Sequence, residues 1–257
     1  MSAKEEIISE LVKKVPVDEI YKKGLEPAVT EVGIGLGNVA KIMLAPITAL
    51  AWGYDKIAGY LDHAIPAYFE SRNIGKEKII SPDVAVAIPA IEAMRYTRDE
   101  IRTKLLHLLG ASMNIDTAEF VHPAFVEILR QMTPDEAKIL NQLPREFLYE
   151  PILDIAVAKP QTDGVFTLFS SVGVIGEEAQ CEFPDKTPLY LTNLSRLGLV
   201  DIPENTGLAD NWRYDKIRKS PSFLNKMELA EKEGKVLIIK KMVGITSMGS
   251  DLRKASM

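Results

Sequence analysis

Cysteine is nearly missing from this sequence: Cys181 is the one thiol in 257 residues. A single thiol excludes an internal disulfide and a cysteine-built structural zinc site, and it fits a reducing, cytoplasmic setting. Histidine is almost as scarce. His63, His107 and His122 lie 44 and 15 residues apart, a spacing that matches no compact metal motif. Asp62 beside His63 is an isolated pair. There is no internal repeat, no low-complexity tract and no long block of like charge. The net charge is −5, which gives no global pull toward nucleic acid. Residues 195–257 hold 12 Lys/Arg against 8 Asp/Glu, or +4, which leaves −9 on residues 1–194. The opening MSAKEEIISELVKKV is acidic and amphipathic, without the basic and apolar regions of a secretory signal.

Catalytic signatures are missing too. Gly33, Gly35 and Gly37 lack the preceding strand and the Gly-Lys-Ser/Thr ending of a phosphate loop. Ser112, Ser170 and Ser171 have no nucleophile-elbow surroundings. Asp135-Glu136 sits at a predicted helix start, where the helix dipole favours negative charge, and Glu177-Glu178 reads as a solvated pair. The expectation is a protein that is not an enzyme, with no cofactor and no metal.

What the chain does have is an apolar run, VGIGLGNVAKIMLAPITALAWGY, from Val32 to Tyr54, with Lys41 its one charge in 23 residues. About 20 apolar residues suffice to cross a bilayer. A central lysine costs ~2.5–3.5 kcal/mol on insertion scales, which the Leu, Ile and Val residues roughly offset. Gly33 and Gly37 form a GxxxG pair, a pattern that lets helix backbones approach closely. Such a segment must be covered by the rest of the fold, by a partner or by lipid. The resting expectation is a central helix of an α-bundle, with membrane insertion conditional on activation. Gly33, Gly35, Gly37, Lys41, Leu44, Trp52 and Tyr54 are the candidate membrane or oligomer residues.

The remainder reads as mainly α. An amphipathic helix is expected over residues 4–15, within a leading segment 1–20, followed by a helical domain over 21–143. Ser81-Pro82 opens a helix to about Met94. Thr97-Arg98-Asp99-Glu100 reads as a capping box for a helix to about Ser112. Another helix starts at Pro123. Thr133-Pro134-Asp135-Glu136 reads as a second box, opening a helix to about Leu143.

After Pro144 the texture changes. ILDIAVA is β-branched and short, and VFTLFSSVGVI fits helix or strand. Thr187-Pro188 opens a helix closed by Gly198. VDIP, a polar excursion with a helix near 221–233, the strand GKVLIIKKMVGIT and a final helix over 247–255 follow. Helix, strand, long wing, strand, helix is the order of a winged-helix-like α+β domain, expected over 144–257. Thr192, Asn193, Arg196, Lys240 and Lys241 would be its contact residues. That is little positive charge for a DNA reader, so nucleic acid is not the expected partner.

Several stretches together resemble the Abi-alpha family of bacterial proteins. They are YKKGLEPAVTEVGIGLGNVAKIMLAPITALAWGYDKI (21–57), SPDVAVAIPAIEAMRYT (81–97), LLGASMNIDTAEFVHPAFVEILRQMTPDEAKIL (108–140), LTNLSRLGLVDIP (191–203) and KKMVGITSMGSDL (240–252). The resemblance implies an α-rich fold and a setting in abortive infection, a phage-defence response; it supplies no reaction and no active-site residues. Combined with the apolar run, it suggests a cytoplasmic, self-associating protein that is triggered by a phage protein and then damages the membrane. Two further readings stay open. One is a winged-helix module or adaptor that binds a phage or host macromolecule. The other is a nuclease using Asp62, His63 or His122.

Overall fold

The computed structural model describes residues 36–48, 57–158 and 164–257. The chain is mainly α, with a small four-stranded antiparallel sheet toward its C-terminus. Of the apolar run, residues 32–35 and 49–54 lie outside the described residues, as do the helix expected over 4–15 and the whole segment 1–20. Two compact units are present, one of residues 1–130 with 255–257 and one of residues 131–254.

The first unit is helical. Its described helices are α1 (Leu36–Thr48), α2 (Ala58–Ser71), α3 (Val84–Met94), α4 (Asp99–Ser112) and α5 (Ala124–Arg130). α3 reads VAVAIPAIEAM and buries Val86, Ala87, Ile88, Ala90, Ile91, Ala93 and Met94. A helix apolar on nearly every side has to sit inside the bundle, and α3 contacts α1, α4 and α5. It begins two residues after the predicted Ser81-Pro82 start. Asp83 is the N-cap, its carboxylate accepting from the Ala85 amide at 2.8 Å. Gly110 permits a close approach: a Cβ there would lie 2.4 Å from the Tyr68 ring on α2.

The box expected at Thr97 does not form. The N-cap of α4 is Arg98, with no side-chain cap, and the Thr97 hydroxyl is buried with no hydrogen-bond partner among the described residues. Arg102 explains the shift. Its guanidinium binds the carbonyls of Met94 (2.8 Å) and Thr97 (3.1 Å) and the Asp99 carboxylate (2.6 Å), which fixes the turn one residue later.

The second unit contains α6 (Pro134–Gln142), β1 (Tyr149–Ala158), β2 (Val165–Val172), α7 (Ile175–Glu178), α8 (Thr187–Arg196), β3 (Val200–Asp201), α9 (Asp215–Arg218), α10 (Pro221–Glu231), β4 (Lys235–Ile245) and α11 (Ser247–Ser256), whose last two residues fall in the first unit. The box at Thr133 forms in full. The Glu136 amide donates to the Thr133 hydroxyl at 3.3 Å, and the Thr133 amide donates to the Glu136 carboxylate at 2.6 Å. Gly198 closes α8 at φ +73°, a conformation that costs glycine little.

The strand order is β2-β1-β4-β3, antiparallel throughout. The segment left between helix and strand, VFTLFSSV, is strand β2. The expected sequence of helix, short strand, excursion, strand and helix is present as α8, β3, residues 202–234, β4 and α11. β4, however, spends most of its length on β1, pairing from Tyr149↔Gly244 to Ala158↔Lys235, and meets β3 only at Gly244 and Ile245. β1 is therefore buried over Ile152–Val157. Leu153, Ile155 and Val157 pack with Val172, Tyr214, Ile217, Phe223 and Ala230 to form the core under α10. Asp154 points away from this cluster. It accepts from the Ser171 amide at 2.7 Å, beside the β1–β2 bulges, and lies 3.4 Å from Lys241.

Candidate functional site

α1 carries the described part of the apolar run, LGNVAKIMLAPIT. Val39, Ala40, Met43, Leu44 and Ile47 recur at three- and four-residue spacing and are all buried. The helix packs on α2 and α3. Two of its described polar side chains face outward: Asn38 is exposed, and Lys41 pairs with Asp62 at 3.2 Å with both side chains about half exposed. An exposed pair of this kind is worth ~0–1 kcal/mol, so burial of the apolar face is what holds α1 in place. The Ser81 hydroxyl adds a bond to the Met43 carbonyl at 3.3 Å. Gly37 lies within α1, whereas Gly33, Gly35, Trp52 and Tyr54 lie outside the described residues. Among the described residues no helix is long and apolar enough to cross a membrane.

The candidate contact residues of the second unit all have partners within it. The Thr192 hydroxyl donates to the Pro188 carbonyl at 2.8 Å. Asn193 donates to the Gln131 carbonyl (3.1 Å) and to the Glu136 carboxylate (2.8 Å). Arg196 binds the Asn193 and Gln131 side-chain oxygens at 2.7 and 3.0 Å. Lys240 binds Asn211, and Lys241 pairs with Asp154. Asn193 and Arg196 thus stand together against the N-terminal end of α6, while Lys240 and Lys241 serve the sheet.

Sequence reasoning missed the side chain at the centre of this unit, because a helix-start Asp looks like a capping residue and nothing more. Asp135 is buried, and its carboxylate accepts from four donors. These are the amides of Glu182 (2.9 Å) and Phe183 (3.0 Å), the Lys138 ammonium (3.0 Å) and the Tyr190 hydroxyl (3.1 Å). Burial pushes its pKa up, but the four bonds outweigh burial and hold it at about 2. The Tyr190 hydroxyl is pushed up to about 12 by burial and by its bond to Asp135. Burial and the Asp135 charge push the Cys181 thiol up to about 11, far from the thiolate that reactive cysteines need. A carboxylate with every acceptor direction filled ties α6 to the segment before α8 and has none left for a substrate.

The histidines are separately employed. Nδ1 of His63 lies 2.8 Å from the Gly59 carbonyl, and Nδ1 of His122 accepts from the Ala124 amide at 3.1 Å. His107 lies 3.5 Å from the Arg72 guanidinium, which itself sits 4.2 Å over the Tyr68 ring. Burial, Arg72 and Lys104 together lower the His107 pKa to about 4. Among the described residues no three His, Cys, Asp or Glu side chains converge as metal ligands.

No curated protein matches the chain. A solved structure, that of an uncharacterized protein from the hydrocarbon-degrading marine bacterium Alcanivorax borkumensis SK2, is similar at 20% identity. That match covers 54% of this chain and 92% of the other, with a TM-score of 0.34. The profile of the Abi_alpha family, abortive infection alpha, matches residues 57–256, which hold all the described helices after α1 and the whole sheet. The chain belongs to the abortive infection alpha family, whose name points to a role in abortive-infection defence.

Proposed function

We propose that this chain is a non-enzymatic abortive-infection protein that senses a phage product and then acts on the membrane through the segment containing α1. The observation that carries this reading is the chemistry of α1. It is an apolar helix whose buried face is held by packing, and among its described side chains the outward polar groups are Asn38 and the half-exposed Lys41. In the resting state the bundle covers the apolar face. A trigger that loosens α2 or α3 frees a segment whose chemistry suits lipid, and the glycines at 33, 35 and 37 suit close packing with further copies.

The surface positions allow a test that leaves the core alone. Asn38→Lys adds a second charge, raising the cost of insertion by ~2.5–3.5 kcal/mol, whereas Lys41→Leu removes the one charge and lowers it by a similar amount. The expected outcome is loss of phage protection with Asn38→Lys and stronger growth arrest with Lys41→Leu, both proteins remaining folded. Wild-type protection and wild-type toxicity in both variants would sink the reading.

A second reading is an adaptor in which the second unit binds a phage or host protein. Its support is the set of exposed apolar side chains on the strands, Phe166 and Leu168 on β2 and Leu237, Ile238 and Ile239 on β4. Under this reading, a charge placed at Phe166 or Ile238 removes protection while changes in α1 leave it intact.

A further inference from the structure

A cavity of about 410 Å³ opens in the second unit, lined by Glu150, Glu178, Trp212, Arg213 and Lys216 with an apolar floor that includes Val174. Trp212 is 70% exposed, the highest exposure of any large aromatic in the second unit after Phe147. The backbone that carries it is nevertheless held by its neighbours. It belongs to the 3₁₀ turn Asn211–Tyr214. Arg213 donates to the Tyr149 carbonyl on β1 at 2.7 Å. The fully buried Tyr214 donates its hydroxyl proton to the Lys241 carbonyl at 3.0 Å and accepts from the Leu208 amide at 2.7 Å. An exposed indole on a turn clamped from both sides is pre-organised for contact, and Trp is enriched among the side chains that dominate binding energy.

The charges in the cavity are unequally employed. Lys216 is paired with Glu178, and Arg213 is committed to the Tyr149 carbonyl. The Glu150 carboxylate is only partly accessible and has no hydrogen bond or ion pair among the described residues. Burial, and to a lesser extent Glu178, raise its pKa, against the opposing effect of Arg213 and Lys216. A partly buried carboxylate with no hydrogen bond to protein, lining one cavity with an exposed indole, is a pairing that takes a cation, since the carboxylate supplies charge-assisted bonds and the indole a cation–π contact.

We propose that this cavity binds the basic side chain, ammonium or guanidinium, of a polypeptide partner, with Glu150 as its counter-ion and Trp212 as its aromatic wall. The inference stands apart from any membrane role of α1, because it concerns residues of the second unit alone.

The test uses the full chain labelled with ¹⁵N at tryptophan, the Trp212 indole resonance being assigned by its loss in Trp212→Phe. The probes are the blocked peptides acetyl-Gly-Arg-Gly-amide and acetyl-Gly-citrulline-Gly-amide, the second matching the first in shape without its charge. The expected result is a saturable shift of the Trp212 resonance with the arginine peptide and at least tenfold weaker binding of the citrulline peptide. Glu150→Gln should weaken arginine-peptide binding at least tenfold without lowering the Tm, since it removes a partly buried charge and no hydrogen bond. Acidification should weaken binding as well, with Glu150 protonating above the ordinary glutamate range in the field of Glu178, Arg213 and Lys216. No saturable shift, equal binding of the two peptides, or unchanged affinity in Glu150→Gln would each overturn the proposal.

Discussion

The Asp135 carboxylate holds four donors from three segments of chain, so protonating it dismantles a junction and not a single bond. Its folded pKa of about 2 lies below the ordinary 3.8. Between those values the unfolded chain binds more protons, so stability falls as pH drops from about 4 to about 2, by on the order of 2 kcal/mol. Asp135→Asn should cost ~2–4 kcal/mol at neutral pH, because an amide group turns one acceptor into a donor facing donors. It should also flatten the acid limb of a denaturation profile. His107 has the same sign in a different window. Its folded pKa is about 4 against an ordinary 6.5, through burial and then the Arg72 and Lys104 charges. Again the unfolded chain binds the extra proton, so the first unit loses stability as pH falls from 6.5 toward 4. The loss is on the order of 2 kcal/mol once partial solvent access is allowed for. His107→Gln should remove that slope in urea titrations across the same range and leave the lower, Asp135-dependent window in place.

At the scale of elements, α1 is the segment on which sequence and structure bear most differently. Composition alone marks it as too apolar to be left in water. The structure adds which face is covered, and leaves Asn38 and Lys41 as the positions where charge can be changed without touching the core. Asn38→Lys and Lys41→Leu should each shift thermal stability by no more than about 1 kcal/mol, as read by circular dichroism melting. Leu44→Ala, at a position 3% exposed, should cost ~2–5 kcal/mol.

Much of the element list was legible because its signals are local. The Thr133 box, the proline-led helices and Gly198 each declare an end within four residues of chain. The Thr97 box had the same local signal and failed because Arg102, two residues beyond Glu100, offers stronger bonds to the same turn. The β1–β4 pairing was not legible, since Tyr149 and Gly244 are 95 residues apart and each strand is apolar enough to accept many partners. The cavity lined by Glu150 and Trp212 was hidden for the same reason. Glu150 and Trp212 come to line one cavity only when the 3₁₀ turn docks on β1.

At the scale of the whole molecule, family membership supplies the defence setting, and the two units divide the chemistry. The helical unit stores an apolar segment. The second unit presents exposed apolar side chains on its strands and a cavity lined by Glu150 and Trp212. Its basic residues Arg196, Lys240 and Lys241 are each already bound to a partner. The triple alanine variant should therefore leave protection from phage unchanged if duplex DNA plays no part, and a salt-dependent gel shift lost in that variant would show the reverse. The central claim is that α1 acts on lipid after a trigger. Its most direct test is a membrane-potential dye recording on cells expressing the protein, before and after phage infection, with folded Asn38→Lys as the control. The account predicts depolarisation only after infection, and only with Asn38 intact. Protection without depolarisation, or depolarisation unchanged in Asn38→Lys, would contradict it.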